Sequence, residues 1–437
     1  MPVPKFHFAR RLGRRAHAPL RLLGAVVFCG PIAAFLAAHI WGSLLPTPGR
    51  EPPRLANSAA NVSDIVLSSK GAVSGWKFAV VGDLGRTYGI FLRALSDMKE
   101  RDARFVVIAG DSVYSKTAEQ YEYLQLKIAQ ARFDRPIFAA LGNEDVAAPG
   151  DYRLFRHYLK GPNAGASRKA EVFIPFGRDY TERFAFLVPA TPPYQAIFVF
   201  FDNAFAAPAD EQIAWLEKIL DEYRKQVRYA FLVSHQPVVQ THKNQQKVSS
   251  REYLRPYERS EAPKGAEPGT GPYELIGIDP GSQIVPVLRL PTDLESPAVQ
   301  LPEPLRADYR RFYALLKKHK ITAVFSGHIH GYARYQLGET DHFVSGGGGA
   351  RLQYPEALHH YLEVVVGEEG VEVRPRLLHG SPDLAAKIER FMMVEIFLVF
   401  RNRPWLYGPA VLWIVSGVWL CYWRGQRRLR DPRGSTS

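Results

Sequence analysis

The stretch KFAVVGDLG at residues 77–85 joins a short apolar run to a turn that carries a carboxylate. The same order recurs in FVVIAGDSVY at residues 105–114 and in IFAALGNED at residues 137–145. Helical patterns at about Tyr88 to Arg101 and at about Ala118 to Ala131 separate the three runs. Continuous apolar runs that alternate with helices indicate parallel strands covered on both faces, so this region predicts an α/β fold.

Each of these predicted strands is followed by a residue that could bind a metal ion. Asp83, Asp111 and Asn143 follow the three apolar runs, and His235 follows a fourth predicted strand, Tyr229 to Val233. Ligands bind outside the carboxyl ends of the strands in open α/β sheets. Taken singly, each residue also fits an ordinary turn or loop. Their recurrence at successive strand ends predicts a shared site.

Two histidines follow the last long apolar run, in the sequence Gly327-His328-Ile329-His330-Gly331. A predicted helix, Leu305 to Lys318, and a predicted strand, Ile321 to Phe325, precede them. Neutral imidazole is the commonest metal ligand, and the flanking glycines let the backbone bend without steric cost. The pair alone fits a polar surface turn equally well, and its place at a strand end favours metal binding.

The candidate ligands supply oxygen and nitrogen donors and no sulfur. They are Asp83, Asp111, Tyr114, Asn143, His235, His328 and His330. The two cysteines, Cys29 and Cys421, lie near the chain ends, so a thiolate site in this region is excluded. Such donors suit Fe, Mn or Zn, and two neighbouring cations can clamp the oxygens of a phosphoryl displacement. Tyr114 taken alone also fits simple packing.

The order of these blocks resembles the calcineurin-like metallophosphoesterase superfamily. The blocks are Asp-x-Gly, Gly-Asp-x-x-Tyr, Gly-Asn-x-[Asp/Glu], Val-x-His and Gly-His-x-His, spread over roughly Lys77 to Arg374. Most of the superfamily has histidine where Gly85 stands and lacks a tyrosine at the position of Tyr114. This double exchange resembles the purple acid phosphatase branch most closely. The resemblance implies a four-layer α/β/β/α sandwich.

The resemblance also implies two metal ions and assigns their ligands. The first metal would be held by Asp83, Asp111, Tyr114 and His330. The second would be held by Asp111, Asn143, His235 and His328, with Asp111 bridging the two. A tyrosinate favours ferric iron at the first position, and the second metal could be Fe, Zn or Mn. The implied activity is acid phosphatase-like hydrolysis of phosphate esters by attack of a metal-bound hydroxide.

One position departs from the pattern of the family. Its third block usually reads Gly-Asn-His-[Asp/Glu], and the histidine is understood to assist the phosphoryl oxygen or the leaving group. Here Glu144 occupies that position. A buried carboxyl group could donate a proton, but a carboxylate could equally repel phosphate. His242 could supply the missing imidazole, and it also fits a plain surface histidine.

The positive charge of the chain is concentrated at its two ends. The formal net charge is +13, of which residues 1–21 carry +6 and residues 424–437 carry +4. The region between them is therefore nearly neutral at +3. A nucleic-acid-binding protein would concentrate basic residues on its folded domain, so no nucleic-acid partner is expected.

Each basic end adjoins an uncharged apolar stretch. Leu22 to Leu45 and Trp405 to Trp423 contain no Asp, Glu, Lys or Arg, and each is long enough to cross a bilayer. A cleaved signal peptide is the alternative for the first stretch, and a buried helix is the alternative for the second. Basic flanks favour the cytoplasm, so the region between them is expected outside, as a periplasmic or extracellular domain of a bacterial inner-membrane protein.

These observations predict a domain layout. It comprises a basic tail (1–21), a transmembrane helix (22–45), a linker (46–74), the metallophosphoesterase domain (75–380), a juxtamembrane helix (381–404), a second transmembrane helix (405–423) and a basic tail (424–437). Residues 241–306 lack periodicity and are predicted as a mobile insertion near the active-site rim. Gly346 to Gly349 could form a flexible turn or let the backbone approach a ligand closely.

The sequence therefore predicts a membrane-anchored phosphoesterase with a dinuclear metal site and a phosphate-ester substrate. The alternative is a metal-binding scaffold, or pseudo-phosphatase, whose catalysis was lost or reduced because Glu144 stands at the histidine position.

Overall fold

The structure is a computed structural model, and it describes most of the chain. The described residues are 33–40, 42, 55–69, 75–160, 173–177, 182–188, 195–205, 208–237, 274–277, 287–289, 303–337, 339–352, 358–379 and 384–430. The chain divides into two compact units. One unit is Pro48–Ala386, and the other combines the two chain ends, Met1–Thr47 and Lys387–Ser437.

The unit Pro48–Ala386 is built on two β-sheets. The described strands are β1 (Trp76–Val81), β2 (Val106–Ile108), β3 (Ile137–Ala139), β4 (Phe173–Pro175), β5 (Phe184–Val188), β6 (Ala196–Phe200), β7 (Tyr229–Val233), β8 (Glu274–Gly277), β9 (Val287–Arg289), β10 (Ala323–Ser326), β11 (Tyr332–Leu337), β12 (Thr340–Ser345), β13 (His360–Val366) and β14 (Val371–Leu377). A five-stranded sheet has the order β14-β13-β1-β2-β3. A nine-stranded sheet has the order β4-β5-β6-β7-β10-β12-β11-β9-β8.

Parallel pairing dominates the centre of both sheets, as the apolar runs predicted. Strands β1, β2 and β3 are parallel neighbours, and so are β6, β7, β10 and β12. Antiparallel neighbours flank them, with β13 on β1 and β5 on β6. Because parallel strands end at the same edge, the turns after β1, β2 and β3 lie side by side.

The two sheets face each other across an aromatic core. Phe78 of β1 stacks on Phe105 at 5.3 Å between ring centroids. Phe198 of β6 meets both rings edge-on, at 5.0 Å from Phe78 and 5.3 Å from Phe105. All three side chains are fully buried, and burying each contributes about 1.5–3 kcal/mol. This packing explains why the strands read as continuous apolar runs.

Helices pack against the two sheets. In this unit they are α1 (Ala59–Ser69), α2 (Gly89–Glu100), α3 (Ala118–Gln130), α4 (Arg153–Leu159), α5 (Asp210–Tyr223) and α6 (Glu303–His319). On the five-stranded sheet, Tyr361 of β13 donates a hydrogen bond to Asp97 of α2 at 2.6 Å. On the nine-stranded sheet, Leu216 of α5 and Phe312 of α6 share an apolar cluster with Ile197 of β6. The mixed α/β fold with two sheets agrees with the prediction.

The stretch predicted as a linker, Pro46 to Ser74, includes an element of this fold. Helix α1 lies within it, and its Val62 and Ile65 side chains are buried in the core between the sheets. Before the helix, the Asn57 amide bonds the main chain of Ala139, the last residue of β3, through both its donor and its acceptor. The side chain thereby satisfies backbone groups at the edge of the sheet.

The predicted insertion, residues 241–306, contains two strands of the nine-stranded sheet. Strand β9 pairs with β11 and with β8, so the insertion contributes the last two strands of that sheet. Helix α6 begins at Glu303, inside the predicted insertion. His242 lies outside the described residues, and the mobility of the segment and its place at the active-site rim stay predictions.

The described part of the chain-end unit is helical. Residues 33–40 form a helix, and a second helical segment comprises α7 (Leu384–Arg390), π-helical Phe391–Phe397 and α8 (Leu398–Asn402), followed by α9 (Tyr407–Arg430). Phe35 contacts Phe400 at 4.9 Å between ring centroids, and His39 Nε2 lies 2.8 Å from the Tyr407 hydroxyl. These contacts join the two ends of the chain.

The structure does not support the predicted transmembrane helices. Among the described helices, none has both the length and the apolar character that a membrane span requires. Helix α9 includes most of the predicted second span, Trp405 to Trp423, and continues through Arg424, Arg427 and Arg428 to Arg430. The predicted first span, Leu22 to Leu45, lies mostly outside the described residues.

Candidate metal centre

Three of the predicted ligands occupy turns with a left-handed backbone. The φ angles are 56° at Asp83 after β1, 53° at Asp111 after β2 and 70° at His328 after β10. Residues other than glycine rarely adopt this conformation, and such strain clusters at functional sites. Gly142 permits the close approach of the neighbouring turn, because a Cβ atom there would lie 2.1 Å from the Asp111 nitrogen. The turns after β1, β2, β3 and β10 therefore converge.

Three polar side chains from different strand ends meet at one point. Asn143 Oδ1 lies 2.9 Å from His235 Nε2 and 3.0 Å from His328 Nδ1. The two imidazole nitrogens are themselves 3.2 Å apart. Asp111 Oδ1 lies 3.4 Å from the same His235 Nε2. These are the four residues assigned by resemblance to the second metal.

The hydrogen bonds around these side chains orient their lone pairs toward each other. His235 Nδ1 donates to the Ala109 carbonyl at 3.1 Å, so Nε2 of the neutral ring carries a lone pair. The Asn143 amide group donates through Nδ2 to Glu144 Oε1 at 3.1 Å, which directs its carbonyl oxygen to the imidazoles. With the ring neutral, the two atoms at 2.9 Å are both acceptors, and a metal ion close to both would remove their repulsion.

A second group of donors lies around Asp83. Its Oδ2 accepts a hydrogen bond from the His328 main-chain nitrogen at 2.8 Å, and its Oδ1 lies 3.3 Å from His330 Nε2. His330 Nδ1 donates to the Arg351 carbonyl at 2.7 Å, so Nε2 faces the carboxylate and would offer its lone pair to a metal ion once its proton is lost. The pattern repeats that of His235, where a main-chain carbonyl fixes the tautomer.

Asp111 lies between the two groups. Its Oδ1 accepts a hydrogen bond from the Glu144 main-chain nitrogen at 2.8 Å. Asp83, Asp111 and His235 each offer a ligand atom, and these atoms all lie within 4.8 Å of one another. All three residues are buried. The position suits a carboxylate that bridges two cations.

The electrostatics of the site favour a bound cation. Burial raises the pKa of Asp111 well above its usual range, and the negative charge of Asp83 raises it further. Burial alone would raise the pKa of Asp83 as well, but the interaction with His330 outweighs it and lowers the pKa. Burial alone would lower the pKa of His330, and Asp83 raises it to about 9. The two carboxylates thus attract positive charge into this space.

The residues present fit metal ions. Asp83 Oδ1 is buried and makes no hydrogen bond that meets the geometric criteria among the described residues, and its charge is offset by His330, whose Nε2 lies 3.3 Å away. A buried carboxylate oxygen without a partner is strongly unfavourable unless a cation neutralises it. Carboxylate, amide and imidazole donors together suit Fe, Zn or Mn. The ligand roles assigned to these side chains stay predictions.

Tyr114 lies beside the first group of donors. Its ring centroid is 6.4 Å from that of His330, and the Arg86 guanidinium carbon lies 5.2 Å from the tyrosine ring. Burial raises the pKa of Tyr114, and the charge of Glu144 raises it further. The phenol is therefore neutral in this environment, and a metal cation would be needed to hold it as tyrosinate.

The glycines Gly346 to Gly349 pack against the turn that carries Asp83. The Ala350 nitrogen donates to the Asp83 carbonyl at 2.9 Å, and the Gly348 nitrogen donates to the Gly82 carbonyl at 2.9 Å. Gly85 has φ +70°, and a Cβ atom there would lie 2.4 Å from the Gly349 oxygen. The position where most of the superfamily has histidine therefore has no room for a side chain in this protein.

Asp145 is a buried residue beside the site that the sequence interpretation did not single out. It is fully buried, and its carboxylate accepts hydrogen bonds from the main-chain nitrogens of Gly142 at 2.7 Å and Val113 at 3.0 Å. Burial and the charge of Asp111 raise the pKa of Asp145 to about 8. These bonds tie the turn after β2 to the turn after β3. The acidic last position of the Gly-Asn-x-[Asp/Glu] block was the available signal.

Glu144, predicted as an alternative acid, lies at the edge of the site. Its side chain is one-quarter exposed, and its Oε2 lies 3.6 Å from Lys116 Nζ. The structure thus brings Glu144 together with the predicted ligands. The same cannot be said of His242, the other predicted acid, because it is outside the described residues.

Comparison with known proteins agrees with the motifs. Residues 77–265 match the family model described as calcineurin-like phosphoesterase. No curated protein sequence matches the chain. Several solved structures are similar at low sequence identity. GAP50, the anchor in the inner membrane complex of Plasmodium, is 14% identical, with 74% of this chain and 95% of that chain covered and a TM-score of 0.41.

Two further solved structures are enzymes by name. A dimetal phosphatase from Danio rerio is 10% identical, with 69% of this chain and 96% of that chain covered and a TM-score of 0.38. A putative 5′-nucleotidase from Staphylococcus aureus is 13% identical, with 74% of this chain and 58% of that chain covered and a TM-score of 0.39. The residues 77–265 that match this family model include Asp83, Asp111, Asn143 and His235.

Proposed function

We propose that the chain hydrolyses phosphate esters at a centre of two metal ions. The observation that carries the proposal is the convergence of Asn143 Oδ1, His235 Nε2 and His328 Nδ1 within 3.2 Å of one another. These three atoms lie beside two buried carboxylates, and the Asn143 oxygen and Nε2 of neutral His235 direct lone pairs at the same point. The match to a phosphoesterase family supports a phosphate ester as the substrate.

The proposed ligands divide between the two ions as the family resemblance implies. The first ion would be held by Asp83, Asp111, Tyr114 and His330, and the second by Asp111, Asn143, His235 and His328. The ions would supply positive charge for the phosphoryl oxygens and lower the pKa of a water molecule to near neutrality. The chain contributes oriented lone pairs, because the Ala109 and Arg351 carbonyls fix the tautomers of His235 and His330.

We further propose that the protein is of the purple acid phosphatase type, with iron at the first position. Two observations support this narrower assignment. Gly85 leaves no space for a histidine, because a Cβ atom would lie 2.4 Å from the Gly349 oxygen. Tyr114 lies close to His330 and could replace the missing nitrogen donor with a phenolate oxygen. Phenolate prefers ferric iron to zinc, which would make the second position the one for Fe, Zn or Mn.

The test of the proposal is hydrolysis by the full chain in detergent or in membranes. The metal-loaded protein should hydrolyse p-nitrophenyl phosphate, and Asp111→Asn should abolish this activity together with metal binding. Asp134→Asn is the matched control, because Asp134 has an exposed side chain at the surface, where its carboxylate lies 3.3 Å from Lys99 Nζ. Robust hydrolysis by Asp111→Asn, or less than one metal ion per wild-type chain, would overturn the proposal.

A metal-binding scaffold without catalysis is the second candidate function, and Glu144 favours it. The carboxylate stands where the family has an imidazole that assists the reaction, and that assistance is typically worth about 10²–10⁴-fold in rate. On this alternative the chain binds two metal ions and phosphate but turns over no ester. Activity that appears only in Glu144→His would support the scaffold, and turnover by the wild type would exclude it.

The location of the domain is a separate proposal that depends on the sequence of the chain ends. We propose attachment to a membrane, with the phosphoesterase domain on the periplasmic or extracellular side. The uncharged stretches Leu22 to Leu45 and Trp405 to Trp423 support it, as do exposed apolar side chains of α9 such as Trp413 and Trp419. Sedimentation with membranes that resists an alkaline carbonate wash is expected. Release by that wash would contradict it.

A further inference from the structure

Glu144, at the histidine position of the third motif, forms an ion pair with Lys116 between the proposed metal centre and the solvent. Lys116 Nζ lies 3.6 Å from Glu144 Oε2, with the lysine side chain one-third exposed and the glutamate one-quarter exposed. The other carboxylate oxygen of Glu144 accepts a hydrogen bond from Asn143 Nδ2 at 3.1 Å. Lys116, Glu144 and the proposed metal ligand Asn143 thus form one connected series.

Two features hold Lys116 in place beside the site. Its backbone is left-handed, with φ 56°, and it lies between Tyr114 and the start of helix α3. Thr117 caps that helix by accepting a hydrogen bond from the Gln120 nitrogen at 3.3 Å. Because the helix cap and the turn after β2 fix both sides of Lys116, its main chain has little freedom. Its side chain therefore starts from a defined point near the site.

The negative charges around the site favour a positively charged side chain beside the substrate. Asp83, Asp111 and Glu144 are acidic, and a phosphate ester adds one or two further negative charges. Metal ions at the proposed positions would offset the two aspartates but would leave Glu144 facing the substrate. Lys116 is the cation paired with Glu144 in the described structure. A carboxylate paired in this way no longer repels an incoming phosphoryl group.

We infer that Lys116 binds a phosphoryl oxygen of the substrate, and that Glu144 positions both Lys116 and Asn143. The inference rests on the proposed function, since it concerns the substrate of the same site. Lysine donates three N–H groups, so it can remain bonded to Glu144 while donating to phosphate. The pair would then replace the family histidine as the group that contacts the phosphoryl oxygens. A dianionic monoester should gain more from this contact than a monoanionic diester.

Inorganic phosphate binding tests the inference without requiring turnover. The metal-loaded full chain should bind phosphate about 10- to 100-fold more weakly in Lys116→Met, the range for losing a charge-assisted hydrogen bond. Lys116→Arg should retain most of the affinity, because it keeps the charge near the same place. Metal content measured on each variant should be unchanged, which separates substrate binding from loss of the centre.

A double variant distinguishes contact with the substrate from simple neutralisation of Glu144. Lys116→Met combined with Glu144→Gln has the same net charge at this position as the wild type. If Lys116 binds phosphate, the double variant should stay weak. Recovery of wild-type phosphate affinity in the double variant would overturn the inference, as would wild-type affinity in Lys116→Met.

Ester hydrolysis provides a readout that separates this inference from the proposed function. In Lys116→Met, kcat/KM for p-nitrophenyl phosphate should fall at least several-fold more than that for bis(p-nitrophenyl) phosphate. An equal fall for both esters would contradict the inference while leaving the phosphoesterase proposal intact. A wild type that binds phosphate through Lys116 but hydrolyses neither ester would contradict only the proposed function.

Discussion

The imidazoles that face the centre are oriented by their far nitrogen atoms. His235 donates to the Ala109 carbonyl and His330 to the Arg351 carbonyl, at 3.1 and 2.7 Å. Each bond directs the other ring nitrogen at a carboxylate or an amide oxygen, where it could offer a lone pair to a metal ion. Partners of this kind raise the basicity of a ligand and fix its direction, and their loss typically weakens metal binding about 10- to 100-fold.

Asn143 depends on Glu144 for the same kind of orientation. In Glu144→Ala the amide loses its 3.1 Å acceptor, so its carbonyl oxygen is no longer held toward the two imidazoles. We expect the affinity for the second metal ion to fall about 10-fold, measured by titration of the apo protein with zinc or manganese. Glu144→Gln keeps an acceptor oxygen and should bind nearly as well as the wild type.

Lys116→Met is a second control for that experiment, because it removes the ion pair and keeps the hydrogen bond to Asn143. Metal affinity should be unchanged in it. Unchanged affinity in Glu144→Ala would show that Asn143 is oriented without this acceptor.

The sequence predicted which side chains gather at the site because each follows an apolar strand. This pattern alone identified Asp83, Asp111 and His235, before the distances between them were known. The partners that orient them could not, since Arg351 acts through its main chain and Lys116 meets Glu144 only after folding. Glu144 alone would repel phosphate, and we propose that the nearby Lys116 offsets this charge.

At the scale of elements, the turn after β1 is held by the glycine turn after β12. A Cβ atom at Gly85 would lie 2.4 Å from the Gly349 oxygen, and the φ of +70° disfavours any other residue. Gly85→Ala should therefore lower the free energy of unfolding by about 1–3 kcal/mol and distort the turn that carries Asp83. Urea unfolding of the metal-free protein measures this change.

Gly89→Ala is the matched control for Gly85→Ala. A Cβ atom at Gly89 would meet nothing within 4 Å, and the residue begins helix α2, where alanine is favoured. We expect it to leave stability unchanged or to raise it slightly. Equal effects from the two substitutions would show that the close approach at Gly85 does not constrain the turn.

Two buried histidines on neighbouring parts of the fold make stability depend on pH. Burial lowers the pKa of His342 on β12 to about 3 and that of His360 on β13 to about 4. The unfolded chain takes up these protons at about pH 6.5, whereas the folded chain does not. Stability is therefore fully present above pH 6.5 and should fall as the pH drops toward 4, by about 1.4 kcal/mol per pH unit for each histidine.

Denaturant unfolding at several pH values measures this slope, and His360→Gln should reduce it. A slope between pH 6 and 4 that is the same in the variant and the wild type would contradict the assignment. The wild-type slope also contains contributions from carboxylates, so the difference between the two proteins is the informative quantity.

The elements that the sequence predicted well are those with long, uniform patterns. The strand Tyr229–Val233 has the predicted bounds, because burial on both faces requires a continuous apolar run. Helix α1 was not predicted, because the proline, alanine and asparagine residues around it are typical of a linker. Its buried side chains pack against strands that lie far along the chain. Strand pairing in the insertion was equally invisible, because the partner β11 lies far along the chain.

At the scale of the whole molecule, metal binding should be a major source of stability. Buried carboxylates at Asp83 and Asp111 repel each other in the metal-free protein, and burial and the charge of Asp83 together raise the pKa of Asp111. Metal bound only to the folded state should stabilise it by about 2.7 kcal/mol at a free concentration of 100 times the Kd. Removing metal with a chelator should lower the Tm by several degrees.

Asp111→Asn should remove the dependence of stability on metal. Its metal-free form should be at least as stable as the metal-free wild type, because one buried charge is gone, and added metal should no longer raise its Tm. A Tm of Asp111→Asn that rises with metal as much as that of the wild type would contradict the bridging position of Asp111.

Composition and hydropathy predicted only some features of the whole molecule. The difference between the basic ends and a nearly neutral centre was visible in the sequence, and in the structure the chain ends form a compact unit of their own. The contact between the ends was not predicted, because the rings of Phe35 and Phe400 are far apart in the sequence and come into contact only in the folded chain. Hydropathy alone predicted two spans, whereas the described helices include none that qualifies.

The most direct test of the account is the metal content of the purified full chain, measured together with its visible spectrum. The account predicts two metal ions per chain, at least one of them iron, with a charge-transfer band that Tyr114→Phe abolishes. Asp111→Asn should lose both ions. Fewer than one ion per wild-type chain would contradict the metal centre itself, and two ions without a band that depends on Tyr114 would contradict the assignment of Tyr114 as a ligand.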